Sequence, residues 1–242
     1  MLIFIGSLLV QVLLIIHCVK TGRNQLWIWV LALLSLPGAI AYVAVEIVPQ
    51  LLGSRGAKRA VRNVKGALDP QRELREAERV ARVSGDVASR QRYATELARQ
   101  GQYAEAVEVY RSLLTGLYAT DPGLMLGLAQ AQFDSNDAAG ARATLETLIA
   151  ANPDFKSAEG HLLFARAMEA SGDAVKALEE YRVLAGYFPG AEAAVRYARL
   201  LRQQGRAEEA RGVLHELLDR MSLAPPHVRK AQQEWLGEAE RG

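Results

Sequence analysis

The sequence predicts an all-α protein in two parts, a transmembrane helical hairpin followed by an αα-solenoid of about four repeats with a C-terminal capping helix. Two observations carry this. Apolar residues crowd into two uncharged runs, Met1 to Val19 and Leu26 to Val45. Further on, a small turn residue is followed five positions later by Ala and nine later by an aromatic or Leu, at Gly101/Ala106/Tyr110, Asn136/Ala141/Leu145, Gly172/Ala177/Tyr181 and Gly205/Ala210/Leu214. The turn residues stand 35, 36 and 33 positions apart. Self-similarity at that period marks helix pairs that bury their apolar faces by stacking on the next pair.

The hairpin is expected over 1–48, with helices over about 1–19 and 26–48. At a rise of about 1.5 Å per residue, each run reaches the roughly 30 Å of a hydrocarbon core. The first run has no Lys or Arg in front of it and no small-residue cleavage site behind it, which argues against a secretory signal. Lys20 to Gln25 is so short a connection that the two helices must be antiparallel neighbours. That loop holds two basic residues, whereas the stretch after the second run holds five, Arg55, Lys58, Arg59, Arg62 and Lys65. The richer side stays cytoplasmic under the positive-inside rule, which puts both chain ends in the cytoplasm. Pro37-Gly38 should bend the second helix.

Trp27, Pro37-Gly38, Tyr42 and the closing Glu46-Ile-Val-Pro49 resemble the two-helix hairpin that precedes the catalytic domains of bacterial cardiolipin synthases. The resemblance implies an anchor in a bacterial inner membrane. It does not extend to the lipid chemistry, because the paired His-x-Lys motifs of those enzymes are absent and His17-Cys-Val-Lys20 has the wrong spacing.

Residues 49–68 form a basic juxtamembrane linker. The first 48 residues sum to +1 and the linker to +5, which leaves −4 for the rest of a chain whose total is +2. The five linker cations are topology determinants, attract anionic lipid headgroups, or both. An acidic array on a basic collar suggests a module held off an acidic bilayer, and its net negative charge argues against nucleic-acid binding.

The solenoid is expected over 69–242. Asp69-Pro70 reads as a helix start, with that helix running to about Val83 before Ser84-Gly85-Asp86. Helix pairs then follow over Val87 to Arg99 with Tyr103 to Leu117, Pro122 to Asp134 with Ala138 to Ala150, Ala158 to Ala170 with Ala174 to Tyr187, and Ala191 to Gln203 with Ala207 to Met221. The repeats span about 87–120, 122–155, 158–190 and 191–223, and the capping helix spans 226–240. Ala138 after its turn suggests looser packing in the second repeat. Trp235 either closes the stack or serves as a binding anchor.

The spacing resembles a tetratricopeptide repeat array. That family places small residues where its two helices cross, and Ala94, Ala129, Ala165 and Ala198 occupy the first-helix site here, with Ala106, Ala141, Ala177 and Ala210 in the second. The resemblance implies an inner groove lined by each first helix, which on this sequence gives Gln91, Thr95, Arg99, Leu126, Gln130, Phe133, Leu162, Arg166, Glu169, Val195, Arg199 and Arg202. Arginines there would pair with carboxylates of an extended or helical protein segment, and Leu126, Phe133 and Leu162 would accept its apolar side chains.

No catalytic, metal or cofactor residue is expected. Cys18 is the only cysteine, and His17, His161, His215 and His227 lack ligand spacing. The reading that follows is a non-enzymatic adaptor or scaffold, anchored as a multi-pass protein in the bacterial inner membrane, with a cytoplasmic groove for a protein partner. The alternative is an accessory or regulatory subunit of phospholipid or lipopolysaccharide biogenesis.

Overall fold

The structure, a computed structural model, describes residues 69–242, and Glu73–Gly242 form one compact unit. The hairpin over 1–48 and the linker over 49–68, with Arg55, Lys58, Arg59, Arg62 and Lys65, lie outside the described residues. Among the described residues no helix is long and apolar enough to cross a membrane.

Every regular element described is helical. Numbered from the first, these are α1 (Arg72–Ser84), α2 (Val87–Arg99), α3 (Tyr103–Leu113), α4 (Pro122–Asp134), α5 (Ala138–Ala151), α6 (Ala158–Ala170), α7 (Ala174–Tyr187), α8 (Glu192–Gln203), α9 (Ala207–Ser222), α10 (Pro226–Ala231) and α11 (Gln233–Arg241). A short 3-10 turn, Gly116–Tyr118, lies between α3 and α4. Four helices take the expected bounds, α2, α4, α6 and α7. The differences lie at ends. Helix α1 starts at Arg72, after a turn in which the Arg72 N–H reaches the Asp69 carbonyl at 3.2 Å. Helix α3 stops at Leu113 instead of reaching Leu117, because Gly116 takes a φ of +55°.

The turn residues behave as their chemistry requires. Gly101, Asn136, Gly172 and Gly205 have φ of +79°, +65°, +90° and +76°, the left-handed region that ends a helix at little cost only for Gly or Asn. In each case the following N–H returns to a carbonyl five residues back, Gln102 to Leu97, Asp137 to Gln132, Asp173 to Met168 and Arg206 to Leu201, at 2.8 to 3.0 Å. Those bonds satisfy carbonyls that the helix end would leave without a partner. Helix starts are held by side chains: Asp121 accepts from the Leu124 N–H at 2.9 Å, Asp137 from Gly140 at 2.9 Å and Ser157 from Gly160 at 2.9 Å.

All eight crossing-site alanines are 1% exposed or less, so a methyl group is what fits where the paired helices meet. Behind them stand Tyr110, Leu145, Tyr181 and Leu214, and one turn further Leu113, Leu148, Leu184 and Leu217, all buried. Each fully buried Leu contributes on the order of 1.5–3 kcal/mol of transfer free energy. In α1, Leu74 and Ala77 are buried 36 positions ahead of Tyr110 and Leu113, the place of a second helix in a preceding repeat.

The C-terminal cap is two helices rather than one. Gln232 leaves helical geometry between α10 and α11, and its side-chain oxygen accepts the Ala191 N–H at 2.9 Å. Ala191 has no side-chain oxygen with which to cap α8, so Gln232 supplies the acceptor from 41 residues away. Trp235 and Leu236 of α11 pack on the C-terminal core, and the Arg196 guanidinium lies 5.4 Å from the Trp235 ring. Trp235 therefore closes the stack.

Candidate functional site

The first-helix face is built largely of partners for its own arginines. Arg99 is bonded to Glu73 of α1 and lies 3.2 Å from Glu96. Arg166 stacks on Phe133, 4.7 Å from the ring centre, and approaches Glu192 at 3.6 Å, although its Nε makes no hydrogen bond at that distance. Arg199 donates twice to Glu238 of α11, at 2.7 and 3.2 Å. Arg202 is exposed near the C-terminal Gly242. Gln130 donates to Asp134 at 2.9 Å, and the Thr95 hydroxyl bonds the Gln91 carbonyl and the Tyr110 hydroxyl at 3.0 Å. Gln91, Leu126, Gln130 and Phe133 are half-buried.

Two residues assigned to the groove belong instead to the interior. Leu162 is 4% exposed and Val195 2%, both in the C-terminal core. Ion pairs accompany that packing: Glu169 pairs with Arg196 at 3.2 Å, and Arg196 pairs in turn with Glu192 at 2.8 Å. Helix α8 packs on α7, and α11 closes over α8 and α9. Glu169 is also the acceptor for the Tyr181 hydroxyl at 2.7 Å. Burial first, and then that neighbouring carboxylate, push the Tyr181 phenol far above its ordinary pKa.

A separate concave feature lies between the second helices α5 and α7, with α6 beneath. It is a cleft of about 730 Å³. Leu126, Leu145, Leu148 and Phe164 give it an apolar depth, Ile149, Phe155 and Tyr187 an apolar rim, and Glu146, Lys156 and Glu180 its charges. Ile149 and Tyr187 are each 51% exposed, and Phe155 38%. His161 stands in it with both ring nitrogens engaged, Nε2 with Glu180 at 2.5 Å and Nδ1 with the Tyr187 hydroxyl at 2.7 Å. In the neutral ring, Nε2 donates to the carboxylate and Nδ1 accepts from the phenol. Burial and then the Glu180 charge raise the Tyr187 pKa, which keeps that phenol a donor.

The cleft recurs in smaller form along the stack. Eleven positions before each turn residue stand Arg90, Met125, His161 and Ala194. Arg90 borders a crevice of about 270 Å³ and reaches across to the Ser112 hydroxyl at 2.7 Å. Met125 is buried and fills its own place, and Ala194 borders a crevice of about 250 Å³. The site at His161 is almost three times larger because the connection into α6, Asn152–Ser157, carries its aromatic Phe155 outward. In the shorter connection Phe188–Ala191 the aromatic turns in, with Phe188 7% exposed.

Sequence reasoning, which found only that His161 lacks ligand spacing, did not point to this cleft, yet a signal was present. The turn spacing across the longer connection, Asn136 to Gly172, is 36, against 33 for the next. Among the described residues no cluster of His, Cys, Asp and Glu is arranged to hold a metal ion.

A tetratricopeptide repeat family model matches residues 97–167. Among solved structures, the chain is similar to MamA 41-end from Desulfovibrio magneticus RS-1, at 18% identity over 69% of this chain and 93% of that one, with a TM-score of 0.57. It is also similar to a MamA protein at 19% identity over 72% of this chain and 91% of that one, TM-score 0.53. A third likeness is to a thermophilic TPR protein of Thermus thermophilus, at 18% identity over 67% and 88% of the two chains, TM-score 0.51. At these identities the likeness is one of fold. No curated protein matches the chain. The described part of the chain is an all-helical solenoid with the fold of these repeat proteins, and residues 97–167 of it match the tetratricopeptide repeat model.

Proposed function

We propose that the protein is a membrane-tethered adaptor that gathers a protein partner beside the bilayer of a bacterial inner membrane, with its repeat array in the cytoplasm. One observation carries the binding part: in a stack whose other junctions are filled or narrow, the junction of the second and third repeats leaves a cleft of about 730 Å³ rimmed by exposed Ile149, Phe155 and Tyr187. Apolar side chains half open to water around a concavity of that size favour association with another protein surface. The tether rests on the uncharged runs before residue 46 and the basic collar behind them, and it supplies effective concentration without added contacts. Three of the four arginines of the first-helix face, Arg99, Arg166 and Arg199, lie against Glu73, Glu192 and Glu238, so the cleft is the better candidate for the first encounter.

The test places a photoreactive side chain at position 149, and separately at Arg166, in the full chain expressed in native membranes. Discrete protein adducts from position 149, identified by mass spectrometry, are the expected result. Absence of protein adducts from both positions removes the adaptor reading. Digestion of the array by a protease added outside intact spheroplasts removes the cytoplasmic assignment.

A further inference from the structure

We infer that the cleft between α5 and α7 takes a partner segment in which a bulky apolar side chain and a Lys or Arg stand about one helical turn apart. The inference rests on the adaptor reading and adds the chemistry of the ligand.

The two walls carry the same order of groups. Helices α5 and α7 are both second helices, and each presents a carboxylate followed by an apolar residue on the same helical face. On α5 these are Glu146 and Ile149, three positions apart, and on α7 Glu180 and Tyr187, seven apart. Such spacings return a side chain to one face of a helix. A segment that seats its apolar group between Ile149, Phe155 and Tyr187 thus has the α5 carboxylate about one turn away and the α7 carboxylate about two turns away, on the same side.

Those carboxylates are incompletely neutralised. Arg142 is divided between Glu146, at 2.8 Å, and Asp173, at 3.2 Å, while Lys176 lies 3.4 Å from Asp173. Glu180 has His161 as its partner, an imidazole that donates one hydrogen bond without an obligatory positive charge. With 50% of the Glu146 side chain and 33% of that of Glu180 exposed, both keep oxygen lone pairs open to an incoming cation. The remaining charged group of the lining, Lys156, belongs to the connection between α5 and α6 at the far end of the walls, and so gives the cleft a polarity. An acid in place of the partner's cation would meet Glu146 and Glu180. Anionic lipid headgroups would meet the same repulsion, which favours a protein segment over a lipid surface.

The test uses the full chain in mild detergent and two fluorescein-labelled, alanine-based helical peptides that differ at one position, Phe-x-x-x-Arg in one and Phe-x-x-x-Glu in the other. Fluorescence anisotropy should give the Arg peptide about tenfold tighter binding, the factor expected for one charge-assisted hydrogen bond. The preference should invert in the Glu146→Lys/Glu180→Lys protein, and Ile149→Lys should abolish binding of the Arg peptide. Thermal melts of the variants establish that they fold, and Ile149, half exposed, tolerates the change. Equal affinities for the two peptides, an unchanged order in the double variant, or binding that survives Ile149→Lys each overturn the inference. Self-association that Ile149→Lys abolishes and the Arg peptide fails to compete with would make the cleft an interface between copies, and would overturn it too. Protein adducts from position 149 without peptide selectivity leave the adaptor standing and remove this ligand chemistry alone.

Discussion

Two neighbouring junctions of this stack use the same helix-pair pattern and reach opposite outcomes. Between the third and fourth repeats, a connection of four residues turns Phe188 inward, Tyr181 and Leu184 are fully enclosed, and α11 closes over the outer helix. Between the second and third, a connection of six residues carries Phe155 outward, and the space that an inward aromatic would occupy stays open. The repeat's crossing alanines and second-helix leucines are equally buried at both. At these two junctions the periodic residues pack alike and the connections differ, and it is at the connection Asn152–Ser157 that the molecule leaves an apolar surface open.

The largest test of this contrast is core truncation. Leu201→Ala removes a side chain with 0% exposure from the closed junction and should cost about 2–5 kcal/mol. Ile149→Ala at the open junction should cost within about 0.5 kcal/mol. Urea denaturation followed by circular dichroism measures both, and comparable losses would mean that the open junction is not open in solution.

A smaller effect comes from the polar link at the closed junction. Tyr181→Phe deletes the hydroxyl that donates to Glu169 at 2.7 Å, and should cost about 1 kcal/mol at neutral pH. The pH dependence has a defined sign. The folded-state pKa of Tyr181 is raised, so the folded protein keeps this proton where the unfolded chain, with an ordinary tyrosine pKa near ~10, gives it up. The contribution is complete below that value and is lost as pH rises above it. Melting temperatures between neutral pH and strongly alkaline solution should fall for the native protein, and less steeply for Tyr181→Phe. Parallel curves would separate this phenol from alkaline unfolding.

Much of the fold was legible because it rests on residues with local reasons. The four left-handed turn residues, the eight crossing alanines and the bounds of α2, α4, α6 and α7 all follow from side-chain size and backbone freedom. Less legible was what depends on distant partners. Arg99, Arg166 and Arg199 read as free groove cations, but each has an acid on another helix, at Glu73, Glu192 and Glu238, and only Arg99 has a local partner as well, Glu96. Leu162 and Val195 read as groove lining because the family resemblance puts those positions on that face, and the covering helices are set by tertiary packing. The break at Gln232 follows from a cap it supplies to a helix 41 residues earlier. Looser packing was expected at Ala138 of the second repeat. The gap lies after that repeat, in the connection, and the turn spacing of 36 against 33 was its trace in the sequence.

A substitution whose effects on stability nearly cancel gives the sharpest separation of the two junctions. His161 and Met125 occupy equivalent places, eleven positions before their turn residues, and Met125 is 4% exposed in a junction that its own side chain fills. His161→Met puts a flexible apolar side chain of similar size at the floor of the cleft and removes hydrogen bonds to Glu180 and Tyr187, both of which remain accessible to water. Gain in packing and loss of partly exposed hydrogen bonds should nearly cancel, leaving stability within about 1 kcal/mol of the native value. Adduct formation from a photoreactive group at position 149 should nevertheless fall, because the apolar seat is narrowed and Glu180 is released from the ring that positions it. If stability and adduct yield are both unchanged, the concavity is not what binds, and the exposed rim of Ile149, Phe155 and Tyr187 alone accounts for the contact. If adduct yield falls while the melt is unmoved, the difference between the two junctions lies in the volume left unfilled beneath that rim.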